Sequence, residues 1–187
     1  ISLMIYLIDH EDSFTYNLAH LLDSIEPIFV SNYYDIDIKK LEQSSTIVLS
    51  PGPGEPKDYP KTTKIYKKHK GKKKILGICL GFQQIVYSEG AKIVQQKNML
   101  HGYQSYIKIN NKSIFKNNSE FLAGRYHSLK MAEPFVSKSM YITMRCKKTN
   151  VAMAVEDDIN QVYGFQFHPD SFLTPNGKNL IKKIISR

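Results

Sequence analysis

The chain has 187 residues, 42% of them hydrophobic, and 26 Lys and Arg against 17 Asp and Glu give a formal charge of +9. That length is enough to fill one core and suits one domain spanning residues 1–187, and two cysteines in such a chain speak against a disulfide framework. The first apolar run, residues 1–8, stops at Asp9 without a basic leader, and no later run is long enough to cross a bilayer, so neither a signal peptide nor a membrane partner is expected. A reducing, cytoplasmic setting is the resulting expectation, and a start upstream of Ile1 is expected as well.

In chain order, Met4-Ile5-Tyr6-Leu7-Ile8 reads as a buried strand ending in Asp9. Asp12 and Ser13 are suitable N-caps for a helix over residues 14–24, in which Phe14, Leu18, Leu21, Leu22 and Ile25 recur at helical spacing. Ile28-Phe29-Val30 is a second strand, residues 36–41 a short helix, and Thr46-Ile47-Val48-Leu49 a third strand. The loop Ser50-Pro51-Gly52-Pro53-Gly54 follows, then a helix and exit loop carrying Lys57, Lys61, Lys64, Lys67, Lys68, Lys70, Lys72, Lys73 and Lys74. A basic run can be a nucleic-acid footprint, but no nucleic-acid module accompanies this one, so a solvated face is expected. Lys74-Ile75-Leu76-Gly77-Ile78 is the next strand, and a helix starts near Gly81.

Strands alternating with helices predict a parallel sheet covered on both faces. Ligands of such sheets bind beyond the carboxyl ends of the strands, so Asp9, the glycine–proline loop and Cys79 are expected along one edge. The second half is expected to hold short strands over residues 105–109, 125–127, 140–145, 152–156 and 162–167. They would form an antiparallel extension or a second small sheet, followed by a closing helix over residues 176–186.

The chemistry concentrates on Gly77-Ile78-Cys79-Leu80-Gly81. A cysteine held between glycines in a strand-to-helix turn is exposed on a tight bend, as the serine is in a Gly-x-Ser-x-Gly elbow. The helix N-terminus beside it favours a thiolate. Cys146 has no such setting and is expected to pack as a small hydrophobe. A cysteine nucleophile needs a base, and His10, His20, His69, His101, His127 and His168 compete for that role. His20 and His69 are expected at the surface. His168 ends an apolar strand and is followed by Pro169 and Asp170, which could orient its ring. Taken alone, His168-Pro169-Asp170 is explained equally well as a strand-end turn.

Together, the Ser50–Gly54 loop, Gly77-Ile78-Cys79-Leu80-Gly81-Phe82-Gln83 and His168-Pro169-Asp170 resemble the class I glutamine amidotransferases. Asp9-His10-Glu11-Asp12-Ser13-Phe14-Thr15-Tyr16-Asn17-Leu18 and Arg125-Tyr126-His127-Ser128-Leu129 resemble, more narrowly, the glutaminase component of anthranilate and aminodeoxychorismate synthases. The resemblance implies a flavodoxin-like α/β fold with a mostly parallel sheet and a small antiparallel extension. It implies Cys79 as nucleophile, His168 as base and Asp170 as its orienting carboxylate. Oxyanion donors would lie at Leu80 and in Gly52-Pro53-Gly54, and Gln83, Ser128 and Leu129 would bind L-glutamine. Ammonia would pass to a chorismate-binding synthase subunit, component I, in a heteromer. No metal and no cofactor are expected in this subunit, with Mg2+ only in the partner.

Three positions depart from the family pattern: Asp170 stands where Glu is usual, His10 where Asn is usual, and Tyr103 where Lys or Arg is common. Asp170 is one methylene short, about 1.5 Å, enough to break a direct hydrogen bond to the imidazole. The rival readings are a partner-independent peptidase or gamma-glutamyl hydrolase, an interaction subunit that has lost catalysis, and an amidotransferase serving another acceptor.

Overall fold

The structure is a computed structural model, and residues 3–13, 15–97, 102–115 and 119–187 are described. Phe14 and His101 lie outside the described residues. The first strand, β1 (Ile5–Asp9), is followed by α1 (Thr15–Asp23), β2 (Ile28–Asn32), α2 (Ile38–Gln43) and β3 (Thr46–Leu49). A 3-10 turn at Pro56–Asp58 leads into α3 (Pro60–His69), β4 (Lys74–Ile78) and α4 (Leu80–Ser88). The second half contributes β5 (Ile93–Gln95), β6 (Tyr103–Ile109), β7 (Glu120–Arg125), β8 (Leu129–Met131), β9 (Tyr141–Cys146), β10 (Ala152–Asp157), β11 (Val162–Phe165) and α5 (Gly177–Ile185).

Among the described residues nine strands form one sheet in the order β2-β1-β3-β4-β11-β10-β9-β6-β7. The first five run parallel, and β10, β9, β6 and β7 extend the sheet by antiparallel pairing. With β11 in fifth place, the parallel part has the flavodoxin-like order. Strands β5 and β8 pair separately, so both the extension and a second small sheet are present.

The central strands are apolar without interruption because both faces are covered. Ile5, Leu7, Val48, Leu76, Ile78, Tyr163 and Phe165 point to the side of α1 and α5, where they meet Leu18, Leu22, Leu180, Ile181 and Ile184. Tyr6, Ile8, Ile47, Leu49 and Ile75 point the other way, onto Leu41, Tyr66, Phe82, Ile85 and Val86 of α2, α3 and α4. Each fully buried large side chain contributes roughly 1.5–3 kcal/mol. These two stripes hold the carboxyl ends of β1, β3, β4 and β11 side by side.

Several expectations shift. The short helix starts at Ile38, because the Asp37 carboxylate caps it by accepting from the Lys40 N–H at 3.0 Å. The expected strand over residues 125–127 is instead β7, ending at Arg125, and the chain then turns away to pair as β8 with β5. The expected strand 162–167 ends its ladder at Phe165, leaving Gln166 to face the neighbouring elbow. His69 is not at the surface: Thr62, Tyr66 and His69 form the inward stripe of α3, and burial lowers the His69 pKa. The lysines are exposed at 57, 61, 64, 67, 68 and 72. Lys74, by contrast, is buried and donates to the Ile185 and Arg187 carbonyls at 2.9 Å each, tying β4 to the end of α5.

Candidate active site

The turn around Cys79 is shaped by what its neighbours lack. A Cβ on Gly77 would lie 2.3 Å from the Gly81 carbonyl oxygen, and one on Gly81 only 2.1 Å from the Leu49 oxygen. Both obstacles are backbone, so no rotamer relieves them. The two glycines therefore let β4, α4 and the end of β3 close on one point. Between them Cys79 adopts φ 53°, ψ −101° as the residue that caps α4. A non-glycine residue in this region carries strain of about 1–3 kcal/mol. The surrounding packing and a 2.7 Å hydrogen bond from the Cys79 N–H to the Phe165 carbonyl hold it there. Leu80 is the first residue of α4, so its N–H has no acceptor within the helix.

The glycine–proline loop springs from Leu49, whose carbonyl touches Gly81. Gly52 passes so close to His10 that a Cβ there would meet the His10 oxygen at 2.4 Å. Gly54 has φ +79°, and the Asp58 carboxylate fills the space its side chain would need. Asp58 also accepts from the Glu55 N–H at 2.9 Å, and the Tyr59 hydroxyl donates to the Pro53 carbonyl at 2.6 Å. His10 lies buried beneath the loop, with its Nδ1 3.2 Å from Ser50 Oγ and its Nε2 2.9 Å from Thr62 Oγ1. Burial drives its pKa down to about 4 against the opposing pull of Ser50 and Asp9, so the ring stays neutral at ordinary pH. His10 is thus a brace for the loop.

Strands β4 and β11 are parallel neighbours in the register Ile78↔Phe165. The residues that follow them, Cys79 and the 166–168 segment, therefore emerge together. The main chain of His168 is clamped on both sides. Its N–H donates to Gly124 O at 2.9 Å, and its carbonyl accepts from Thr174 Oγ1 at 2.7 Å. Tyr126 packs edge-on to the ring at a centroid distance of 5.0 Å. Burial opposes charge on His168, but the neighbouring Cys79 sulfur and the Asp170 carboxylate outweigh it and push its pKa up to about 10. Asp170 Oδ1 lies 3.6 Å from His168 Nδ1, beyond hydrogen-bond reach. Among the described residues neither Asp170 Oδ1 nor His168 Nε2 has a hydrogen-bond partner.

A third wall comes from residues 125–129. Arg125 can only donate, and its Nε–H points at His127 Nε2 at 3.0 Å. The proton of His127 is therefore on Nδ1, which donates to the Leu129 carbonyl at 2.8 Å. Burial and the neighbouring guanidinium push the His127 pKa down to about 4, which preserves that tautomer. The Leu129 carbonyl also receives the Gln83 amide at 3.2 Å, and the Ser128 carbonyl accepts from the Gln96 N–H at 2.8 Å. Arg125 is buried and reaches Ser105 Oγ, Cys146 Sγ and Gln96 Oε1 at 3.2–3.3 Å. Cys146 is buried as expected, yet its sulfur serves as an acceptor for this cation.

Cys79, Gln83 and Leu129 are joined by direct contacts or one intervening side chain, and Leu80 and the Gly52–Gly54 loop adjoin them through the Leu49–Gly81 contact. Ser128 is held beside Leu129. Asp170 lies beyond hydrogen-bond range of His168, and His168 Nε2 is likewise without a hydrogen-bond partner among the described residues. Gln166, which donates to Cys79 Sγ at 3.6 Å, was not among the expected residues. Its signal was a lone amide in the apolar run Val162-Tyr163-Gly164-Phe165-Gln166-Phe167. A concavity of about 540 Å3 lined by Asp9, Asn32, Asp35 and Asp37 contains none of these groups. The elbow at Cys79 and the 166–168 segment after β11 lie apart from that concavity.

The model of the family described as glutamine amidotransferase class-I matches residues 6–186. Anthranilate synthase component 2 of Lactococcus lactis is 35% identical, covering 98% of this chain and 94% of its own length. Aminodeoxychorismate/anthranilate synthase component 2 of Bacillus subtilis is 33% identical, covering 97% of this chain and 95% of its own. Among solved structures, PurLQS from Thermotoga maritima superposes with a TM-score of 0.74 at 18% identity, covering 100% of this chain and 99% of the matched one, and supports the fold. A glutamine amidotransferase from the same organism does so with a TM-score of 0.72 at 16% identity, covering 98% and 86%. The chain belongs to the class I glutamine amidotransferases.

Proposed function

We propose that the protein is the glutaminase subunit of a chorismate-using synthase, hydrolysing L-glutamine through a thioester at Cys79. The observation that carries this reading is the strained Cys79 elbow on β4 beside the clamped His168 that follows β11. The thiolate attacks the side-chain amide carbon of glutamine. As the C–N bond breaks, His168 gives its proton to the departing ammonia, then takes one from the water that cleaves the thioester to glutamate. The developing oxyanion is met by the Leu80 N–H and by the loop at Gly52 and Gly54, since Pro53 has no N–H to give. Gln83, Ser128 and Leu129 hold the glutamine, and Asp170 orients His168 at longer range.

Ammonia passes to a separate subunit, and this subunit needs neither metal nor cofactor. The names of the relatives at 33–35% identity over nearly the full chain support a component I partner. The test is acid quenching of the protein with glutamine and its copurified partner, followed by mass analysis of the peptide carrying Cys79. A γ-glutamyl adduct that is absent in Cys79→Ala is expected, together with an aminated chorismate product. Full glutaminase activity in Cys79→Ala would overturn the reading. Partner-free turnover of peptides would replace it with a free-standing hydrolase.

A further inference from the structure

We infer that Gln166 is a further catalytic residue, whose side-chain amide donates to the sulfur of Cys79 and stabilises it as a thiolate. The inference rests on the reading of Cys79 as nucleophile. Gln166 has no exposed surface, and the β4–β11 register brings it opposite the residue after Ile78. A glutamine amide could in general be turned either way, but here the direction is fixed by a chain of contacts. The Leu129 carbonyl can only accept, so the Gln83 group facing it at 3.2 Å is the NH2. The same NH2 lies 3.1 Å from the Gln166 side chain, which must therefore present its oxygen. The remaining end of Gln166, its own NH2, then faces Cys79 Sγ at 3.6 Å. His127 fixes the start of the chain by donating to the same Leu129 carbonyl.

On another side the sulfur faces the Tyr126 carbonyl at 4.0 Å. That oxygen suits a thiol, which can donate to it, and repels a thiolate. The Gln166 N–H does the reverse, and hydrogen bonds to charged groups are the stronger kind. Gln166 and Tyr126 O therefore favour opposite ionisation states. Glutamine entering the site would meet a sulfur already held from the sheet side, leaving its other side open to the amide carbon. The arrangement also couples substrate binding to nucleophile state, because Gln83 contacts both Leu129 and Gln166.

Two measurements test this without relying on glutaminase turnover. In Gln166→Met, which keeps side-chain length but removes the donor, iodoacetamide alkylation of Cys79 at neutral pH should slow about tenfold, with the rate profile moved to higher pH. In native protein labelled with side-chain 15N-glutamine, one amide resonance should shift when Cys79 is alkylated, and that shift should be absent in Gln166→Met and in Cys79→Ala. An unchanged alkylation profile, or no amide resonance that responds to Cys79, would overturn the inference. If Gln166→Met fails to fold, the native-protein resonance decides alone, with Cys79→Ala as its control. A missing glutamyl thioester with the resonance shift intact would sink the proposed function and leave the contact standing.

Discussion

The two halves of the nine-stranded sheet contribute to the site in different ways. The parallel half places Cys79, the Gly52–Gly54 loop and His168 at the carboxyl ends of adjacent strands, so topology alone brings them together. Among the described residues the antiparallel half carries neither Cys79 nor His168. It supplies the backing: Gly124 grips the His168 main chain, and Arg125 and His127 aim the Leu129 carbonyl. In the parallel half, position follows from connectivity and from glycines that remove backbone clashes. In the antiparallel half, it follows from buried polar groups that must find one another. The first kind of support should fail by steric displacement, and the second by loss of specific hydrogen bonds.

The largest effect is expected in the parallel half. In Gly81→Ala the new Cβ would lie 2.1 Å from the Leu49 oxygen, so α4 must move away from β3. Overpacking of this kind costs about 1–3 kcal/mol of stability. It should also lower kcat by roughly 100-fold, the scale seen when an oxyanion donor is misplaced, the role proposed for the Leu80 N–H. Denaturant unfolding and steady-state kinetics in the partner complex check both. A variant with native kcat would show that the elbow tolerates movement, and the contrast between the halves would weaken.

An intermediate effect is expected in the antiparallel half. His127→Leu leaves the Arg125 Nε–H and one lone pair of Leu129 O without partners, each a buried loss of about 1–3 kcal/mol. The KM for glutamine should rise about tenfold or more while kcat changes less, and His127→Gln should restore part of the affinity. The same residue predicts a pH dependence. His10 and His127 both have pKa values pushed from 6.5 down to about 4 by burial. The unfolded chain therefore binds protons that the native state refuses, and stability falls as the pH drops from about 6.5 through about 4. His127→Gln should flatten this acid limb in a series of melting curves. An acid limb identical to that of the native protein would show that His127 is not the neutral donor described.

The smallest effect is expected at Asp170, which sits at the boundary between the halves. With 3.6 Å between Asp170 Oδ1 and His168 Nδ1, the carboxylate acts on the imidazole through charge rather than through a direct hydrogen bond. Asp170→Glu adds the missing reach and should leave kcat/KM for glutamine equal or raise it about two- to tenfold. A large loss in this variant would mean that Asp170 is suited to its surroundings as it stands and is no imperfect substitute.

What could be read from the residues themselves was whatever depends on local rules. The runs Ile5–Ile8, Thr46–Leu49 and Lys74–Ile78 could be read as buried parallel strands, because sheets covered on both faces demand continuous apolar sequence. Cys79 could be singled out because glycines at 77 and 81 have no other use than close approach. The inward face of His69 was also legible, since Thr62, Tyr66 and His69 share helical spacing, but the surrounding lysines masked it. The shortfall of Asp170 was legible only through the family resemblance, which sets Glu at that position, and the missing methylene gave its size.

Only the tertiary structure decided the rest. That Gln166 touches Cys79 depends on the β4–β11 register, set between segments more than eighty residues apart. That Arg125 fixes the tautomer of His127 depends on a loop leaving the sheet after β7. The role of His10 beneath Gly52 needed β1 and β3 to be neighbours. Such contacts are directional and long-range, so no local periodicity encodes them: the sequence determined which residues are the candidates for the chemistry, and the packing of distant strands determined which atoms hold them in place.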